Sequence, residues 1–418
     1  MTRAAAQARI GELDLGAEAA AFRGQIRDWI AGNAPPGLAG LAAWNLPGTR
    51  SADRDQAMTS PVYREWEQRL LGARLVCANW PEQYGGRGLS PVQMVVLAEE
   101  CVRAGIPRVE RGMGERLVGP AILVHGTDEQ RAHFLPRIVT GEDAYCQGYS
   151  EPGHGSDLAA VETRGVIDGD EIVIHGQKLW TSGAHRANMI FILCRTDPSA
   201  PRQRGLSYVL ARFAPDNGID YRPVRQLTGE ANFCEVFFDG TRAPVFNIIG
   251  GLHDGWRPAM TTLGFERGGT ATVVSLGFEL EFWDLVRALE GAGRTSDPMV
   301  RQHLGWAYTQ VALMRFHGMR LAAQMLAGGQ SGPEASIVKA FRTEYHRRLG
   351  ELALDLTGPG SLIRPDGAGY ALSRWQEVFL SSRAGTIYSG TSEIQRNIMA
   401  ERVLGLPREP AAVSGRAR

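Results

Sequence analysis

The chain has 418 residues, 44% hydrophobic and 22% charged, with 45 basic and 45 acidic side chains and a formal net charge of zero. That length exceeds one ordinary core and suits two or three domains, and the charge balance argues against a nucleic-acid partner, which calls for a basic face. The five cysteines, Cys77, Cys101, Cys146, Cys194 and Cys234, are scattered without a C-x-x-C pair and read as reduced thiols of a cytoplasmic protein; no apolar run reaches membrane-spanning length.

The opening MTRAAAQARIGELDLG turns acidic at Glu12 and lacks an apolar targeting core, so it reads as a frayed lead-in. From there to about residue 145 the pattern is helical. Ser90-Pro91 with Gln93 forms a capping box, Met94, Leu97, Ala98 and Cys101 follow at helical spacing, and Gly105 supplies the stop. Thr127 with Gln130 repeats the box before FLPRIV, and NWPEQYGGRGLS between these helices is loop.

Over residues 146–252 the period changes to two. GVIDGDEIVIHG reads as two strands joined at Asp168-Gly169, and MIFILCR, LSYVLARF and CEVFFDG as further strands. Strands at short spacing without intervening helical pattern point to a small antiparallel barrel or sandwich. Helices return from residue 253. Asp297-Pro298 opens a long one, in which Val300, Leu304, Ala307, Val311, Met314, Leu321 and Met325 form a heptad-like stripe, Gly318 filling its gap. Such a stripe needs partner helices, and 265–289, 333–356 and 370–383 can supply them. The expected fold class is α+β: an N-terminal helical domain (1–145), a middle antiparallel β-barrel domain (146–252), a C-terminal four-helix bundle (253–405) and a disordered tail (406–418).

Several chemistries are absent. The nine histidines show no metal-site spacing, and His175 and His185 read as sheet or loop residues. PGHGSDL has Leu158 where a dinucleotide fingerprint needs its third glycine, and no G-x-S-x-G elbow exists.

Four segments are more specific. NWPEQYGGRG (79–88), YSEPGHGSDL (149–158), GQKLWTSGA (176–184) and IYSGTSEIQRNIMAERVLG (387–405) occur in this order. They resemble the W-P-x-x-Y-G-G, T-E-P-x-x-G-S-D, G-x-K-x-[WY] and I-Y-x-G-T-x-E-I-Q-R segments of acyl-CoA dehydrogenases, across nearly all of the chain. The resemblance implies FAD, which needs donors at its pyrimidine edge, a flat apolar wall and close backbone approach. By this likeness Gln147, Tyr149, Ser150, Gly155 and Ser156 form the loop touching flavin and substrate. Trp180 lies on the flavin beside Thr181 and Ser182, and Thr391 and Glu393 contact the cofactor. Ser156, Arg267, Tyr388, Ser389 and Gly390 belong to the substrate side. Outside these strings Trp180 would read as a buried strand aromatic, and Gly153 and Gly155 as turn residues.

Two positions depart from the family. Many members carry the catalytic base in I-Y-E-G-T, but here the residue is Ser389, whose hydroxyl is far too weak a base. Its backbone N–H can still serve as a donor to the thioester oxygen. In isovaleryl- and long-chain-type members the base sits early in a C-terminal helix, directly before an arginine; TLGFERGGTATVV places Glu266 and Arg267 at that pair. The alternative is an ordinary first-turn acid. The family's R-x-x-F-G stretch reads GAGRTSDPMVRQH here, with Arg294 as the arginine available. The implied activity is FAD-dependent α,β-dehydrogenation of an acyl-CoA by a homo- or heterotetramer (a dimer of dimers), with electrons passed to an electron-transfer flavoprotein or similar acceptor. Two other readings stand: a non-catalytic partner subunit of a hetero-oligomeric dehydrogenase, or a flavin-dependent oxidase or monooxygenase of the same fold.

Overall fold

Caps written into the sequence set the first helices. The computed structural model describes residues 15–39, 41, 56–268, 271–326, 332–363 and 372–408; most of the expected lead-in, Tyr370 and the AAVSGRAR tail lie outside the described residues. Helices α1 (Ala17–Asn33), α2 (Pro61–Gly72), α3 (Pro91–Ala104), α4 (Gly119–His125) and α5 (Asp128–Thr140) come first. Ser90 with Gln93 and Thr127 with Gln130 form the expected capping boxes, and left-handed Gly105 (φ 68°) ends α3. In the loop before α3, a Cβ on Gly86 would lie 2.1 Å from the Trp80 carbonyl oxygen, so the second glycine of YGG is a close-approach residue.

Eight strands follow: β1 (Tyr145–Gly148), β2 (Arg164–Asp168), β3 (Glu171–Ser182), β4 (Met189–Arg195), β5 (Leu206–Arg212), β6 (Ile219–Val224), β7 (Phe233–Pro244) and β8 (Ile248–Ile249). They form one sheet in the order β6-β7-β3-β2-β4-β5-β8, with β1 added alongside β4. The Asp168-Gly169 hairpin forms as expected, with Asp168 opposite Glu171. Strands β4 and β5 are buried on both faces. Phe191, Leu193, Leu206, Tyr208 and Leu210 join the core of the N-terminal helices, while Ile190, Ile192, Cys194, Val209 and Ala211 pack with Ile172, Val236 and Phe238. Double-sided burial explains why those two runs are continuously apolar.

The barrel expectation is corrected. Closure requires the two edge strands to pair, whereas β6 and β8 end the sheet. Strand β8 is only two residues long, and β6 carries Asp220, Arg222 and Pro223, which suit an edge. Nor is the sheet wholly antiparallel: β1 runs parallel to β4, with Gln147 opposite Phe191, and β2 meets β4 in parallel at Arg164 and Arg195.

The C-terminal region comprises α6 (Trp256–Gly268), α7 (Ala271–Gly291), α8 (Pro298–Leu326), α9 (Ala335–Thr357), α10 (Arg374–Gly385) and α11 (Ser392–Ile398). The stretch expected as one helix at 265–289 thus starts at Trp256, as α6, and is taken up by α7. Val300, Ala307, Val311 and Met314 of α8 share a core with Phe278, Leu285, Tyr345, Leu349 and Val378. The Met325 side chain lies outside the described residues. An ion pair draws these helices onto the N-terminal ones: Arg315 of α8 lies 3.4 Å from Glu99 of α3 as well as from Glu279 of α7, and Glu99 also pairs with Arg23 of α1 at 2.7 Å. The five cysteines are free and buried. No described helix is long and apolar enough to cross a membrane, and no cluster of metal ligands occurs among the described residues.

Candidate functional site

Alternation along β3 breaks where the site begins. Ile172, Ile174 and Lys178 point inward, so simple alternation would bury Trp180 and turn Thr181 outward. Instead the register against β7 shifts between Lys178 and Thr181, and Trp180 takes a left-handed φ of 63°. Trp180 is thereby 55% exposed, braced edge-on by Phe233 at 6.2 Å, while Thr181 is fully buried. A bulge that re-aims one side chain is common beside functional sites. It presents an indole face to the outside, the flat apolar wall a flavin needs.

Strand β1 and its exit loop lie against this bulge. Leu179 N–H donates to Ser150 O at 2.8 Å, and the Lys178 ammonium donates to Tyr149 O at 2.9 Å, Glu151 Oε1 at 2.9 Å and Leu193 O at 2.8 Å. Gln147, Tyr149, Ser150, Trp180, Thr181 and Ser182 are therefore brought together. Burial pushes the Lys178 pKa down, opposed by Glu151. Burial also works against the Glu151 charge, yet Lys178 and the Thr163 and Glu162 bonds hold its carboxyl below the usual range. Gly155 and Ser156 follow on an exposed turn, whose Asp157 pairs with Arg202.

The fit to a flavin can be tested on polar satisfaction. Gln147 Nε2 and Thr181 Oγ1 are buried without a hydrogen-bond partner among the described residues. Buried polar atoms are nearly always paired, so two unmet groups flanking an exposed indole mark a place for a ligand with polar ring edges. The residues present fit FAD.

The second group lies on the turn between α10 and α11. Ile387 and Tyr388 are exposed, and Ser389 (φ 55°) and Gly390 (φ 87°) are successive left-handed residues. A non-glycine residue held there stores strain, so the neighbours must enforce it. Fully buried Lys339 of α9 donates to Gly390 O at 2.6 Å, and Gln395 Nε2 to Ser389 O at 3.0 Å. Thr391 N-caps α11 by accepting from Ile394 N, and exposed Glu393 sits in its first turn. Arg294 occupies the turn joining α7 to α8, beside Gly358.

The side chains of Glu266 and Arg267 lie outside the described residues, but their helix is placed. Thr262 of α6 is fully buried; its Oγ1 donates to Pro258 O at 3.0 Å and lies 3.2 Å from Tyr208 Oη. Tyr208 in turn lies edge-on against Tyr149 of the flavin loop, their ring centroids 6.2 Å apart. Position 266, four residues after Thr262, falls on the same face of α6, opposite exposed Met260. His125 bonds Thr261 at 2.7 Å and steadies the helix from α4. Helix α9 packs against both α6 and α11 and so relates the Ser389 turn to the helix of Glu266.

Glu151, Lys178, Tyr208, Thr262 and Lys339 escaped the sequence reading. For the first two a signal existed: charges inside the SEP and QKLW strings at positions that strand period sends inward. Tyr208 and Thr262 carry no local signal, because their partners are far away in the chain.

Models of the acyl-CoA dehydrogenase N-terminal, middle and C-terminal domains match residues 18–142, 146–241 and 253–404. The chain is similar to the acyl-CoA dehydrogenase IpdE1 of Mycobacterium tuberculosis, 42% identical over 93% of this chain and 98% of that protein. Among solved structures it is similar to the Tcur3481-Tcur3483 steroid ACAD, with a TM-score of 0.78 and 29% identity, covering 96% of this chain and 100% of that one. The ChsE4-ChsE5 complex from Mycobacterium tuberculosis gives a TM-score of 0.74 and 27% identity, covering 96% and 100%.

Proposed function

The chain belongs to the acyl-CoA dehydrogenase family of FAD-dependent enzymes, and we propose that it desaturates an acyl-CoA thioester between its α and β carbons, with Glu266 as the base. The observation that carries this reading is the outward Trp180 bulge flanked by the unmet Gln147 and Thr181 groups. Bound FAD supplies the acceptor for the β hydride. Everything else falls to the chain. The Glu266 carboxylate takes the α proton, and the Ser389 N–H polarises the thioester oxygen, which acidifies that proton. Supporting Glu266 is its place on the Thr262 face of α6, together with a serine at the family's other base position. Tyr388, Gly390, Ser156 and Arg267 complete the substrate side. Gln147, Tyr149, Ser150, Gly155, Trp180, Thr181, Ser182, Thr391 and Glu393 hold the cofactor, with Arg294 offered to a neighbouring subunit's pyrophosphate.

The C-terminal helices are read as a four-helix bundle, and electrons pass to an electron-transfer flavoprotein or similar acceptor. For the substrate we favour polycyclic, steroid-derived thioesters, supported by the steroid enzyme named above. Exposed Tyr308, Leu313 and Phe316 of α8 support assembly into a tetramer through that helix. Glu266→Gln should leave bound FAD in place and slow its reduction by acyl-CoA on the order of 100- to 10,000-fold; an unchanged rate removes Glu266 as base.

Ser389 favours one second reading, a partner subunit in a hetero-oligomer, and both structures cited above are named as two-component proteins. A yellow homo-oligomer bleached anaerobically by a thioester supports the catalytic reading. A colourless protein stable only with a partner supports the other.

A further inference from the structure

Lys178 does more than fill a strand position. It has no exposed surface, and its ammonium has three protons and three acceptors: the Tyr149 carbonyl and the Glu151 carboxylate on the loop after β1, and the Leu193 carbonyl on β4. All of its donors are spent. Glu151, 7% exposed, spends its second oxygen on Glu162 N at 2.7 Å and shares its first between Lys178 and Thr163 N at 2.8 Å. The pair thus closes a network that touches neither the exposed face of Trp180 nor the turn of Ser389.

Its placement relative to the site is specific. Gln147 lies two residues before Tyr149, whose carbonyl Lys178 holds, and Thr181 lies three residues after Lys178, across the bulge. Left-handed Trp180 has no cap of its own; the bonds from Lys178 and Leu179 into 149–151 keep the chain from relaxing to regular alternation, which would turn Trp180 inward. We propose that Lys178, paired with Glu151, is a positioning residue for the cofactor: it locks the β1 exit loop to the β3 bulge so that Gln147, Trp180 and Thr181 converge on one flavin. It touches no reacting atom and acts through the residues it holds.

The test measures flavin affinity rather than turnover. The purified holoprotein is deflavinated and titrated with FAD while Trp fluorescence quenching is followed, with far-UV circular dichroism and thermal unfolding of each apoprotein alongside. Lys178→Met alone leaves a buried carboxylate unpaired and is prone to misfold. The deciding variant is therefore Lys178→Met with Glu151→Gln, which removes both charges and keeps an acceptor for Thr163. It should retain the wild-type circular dichroism spectrum and bind FAD ~10- to 100-fold more weakly, by analogy with the loss of residues that orient the ligands of a metal site. Lys178→Arg should recover part of the loss. A folded double variant whose FAD affinity stays within about twofold of wild type overturns the proposal and leaves an ordinary core ion pair. Should the double variant not fold, hydrogen exchange in the wild type decides. Amides of 147–151 and 178–182 should gain protection together on FAD addition, and independent responses overturn the coupling.

Discussion

Replacing Tyr208 with phenylalanine isolates one hydrogen bond between β5 and α6. The Thr262 hydroxyl has a single proton, and it goes to Pro258 O at 3.0 Å. At the 3.2 Å contact with Tyr208, Thr262 must then accept, so Tyr208 donates. Tyr208→Phe keeps the ring stacked on Phe191 at 5.7 Å but removes that bond. The fully buried Thr262 oxygen loses its donor in a dry interior, a loss of about 1–3 kcal/mol. At roughly 2–4 °C per kcal/mol for a domain of ordinary size, the unfolding midpoint should fall by ~2–12 °C. Thr262→Val removes the same bond from the other end. The two single changes should therefore be non-additive by ~0.5–3 kcal/mol in a double-mutant cycle, read by urea or thermal unfolding. Because Thr262 sits one turn before Glu266, both variants should also lower kcat more than they raise KM. Strict additivity, or a Tyr208→Phe protein within about 0.5 kcal/mol of wild type, a shift ordinary for surface changes, would show that the Tyr208–Thr262 bond does not couple β5 to α6.

Thr181→Val removes a buried hydroxyl unmet by the described protein, so the apoprotein should be no less stable while FAD binds ~3- to 10-fold more weakly, one net hydrogen bond's worth; equal affinity by FAD titration refutes a Thr181 contact. Gly86→Ala places a methyl 2.1 Å from the Trp80 carbonyl oxygen and should destabilise by about 1–3 kcal/mol or more, a result that unchanged thermal unfolding would contradict. Burial, with Arg257 acting in the same direction, holds the His125 pKa below its usual value. The unfolded chain, titrating near ~6.5, therefore takes this proton first. Stability from His125 is full above about that pH and is lost as pH falls through the lower folded value, so His125→Gln should flatten the midpoint's fall on acidification. A variant with the wild-type pH slope removes His125 as the cause.

Local patterns reached far in this protein. Capping boxes at Ser90 and Thr127, the Asp168-Gly169 hairpin and the α8 stripe all rest on neighbours within a few residues, so the sequence displays them directly. The motif strings likewise carry the family, and with it the cofactor and the class of reaction. The path of the sheet was not legible, because whether two edge strands meet depends on twist and on which helices cover each face, and no single strand records either. For the same reason β1 passed unseen: its pairing with β4 joins residues more than forty positions apart. Within the site, sequence period alone would have buried Trp180. Only the folded chain shows that Lys178, anchored on β4 and on the loop after β1, supports the bulge that turns the indole outward. Short-range chemistry thus named the participants, and long-range contacts decided which way they face.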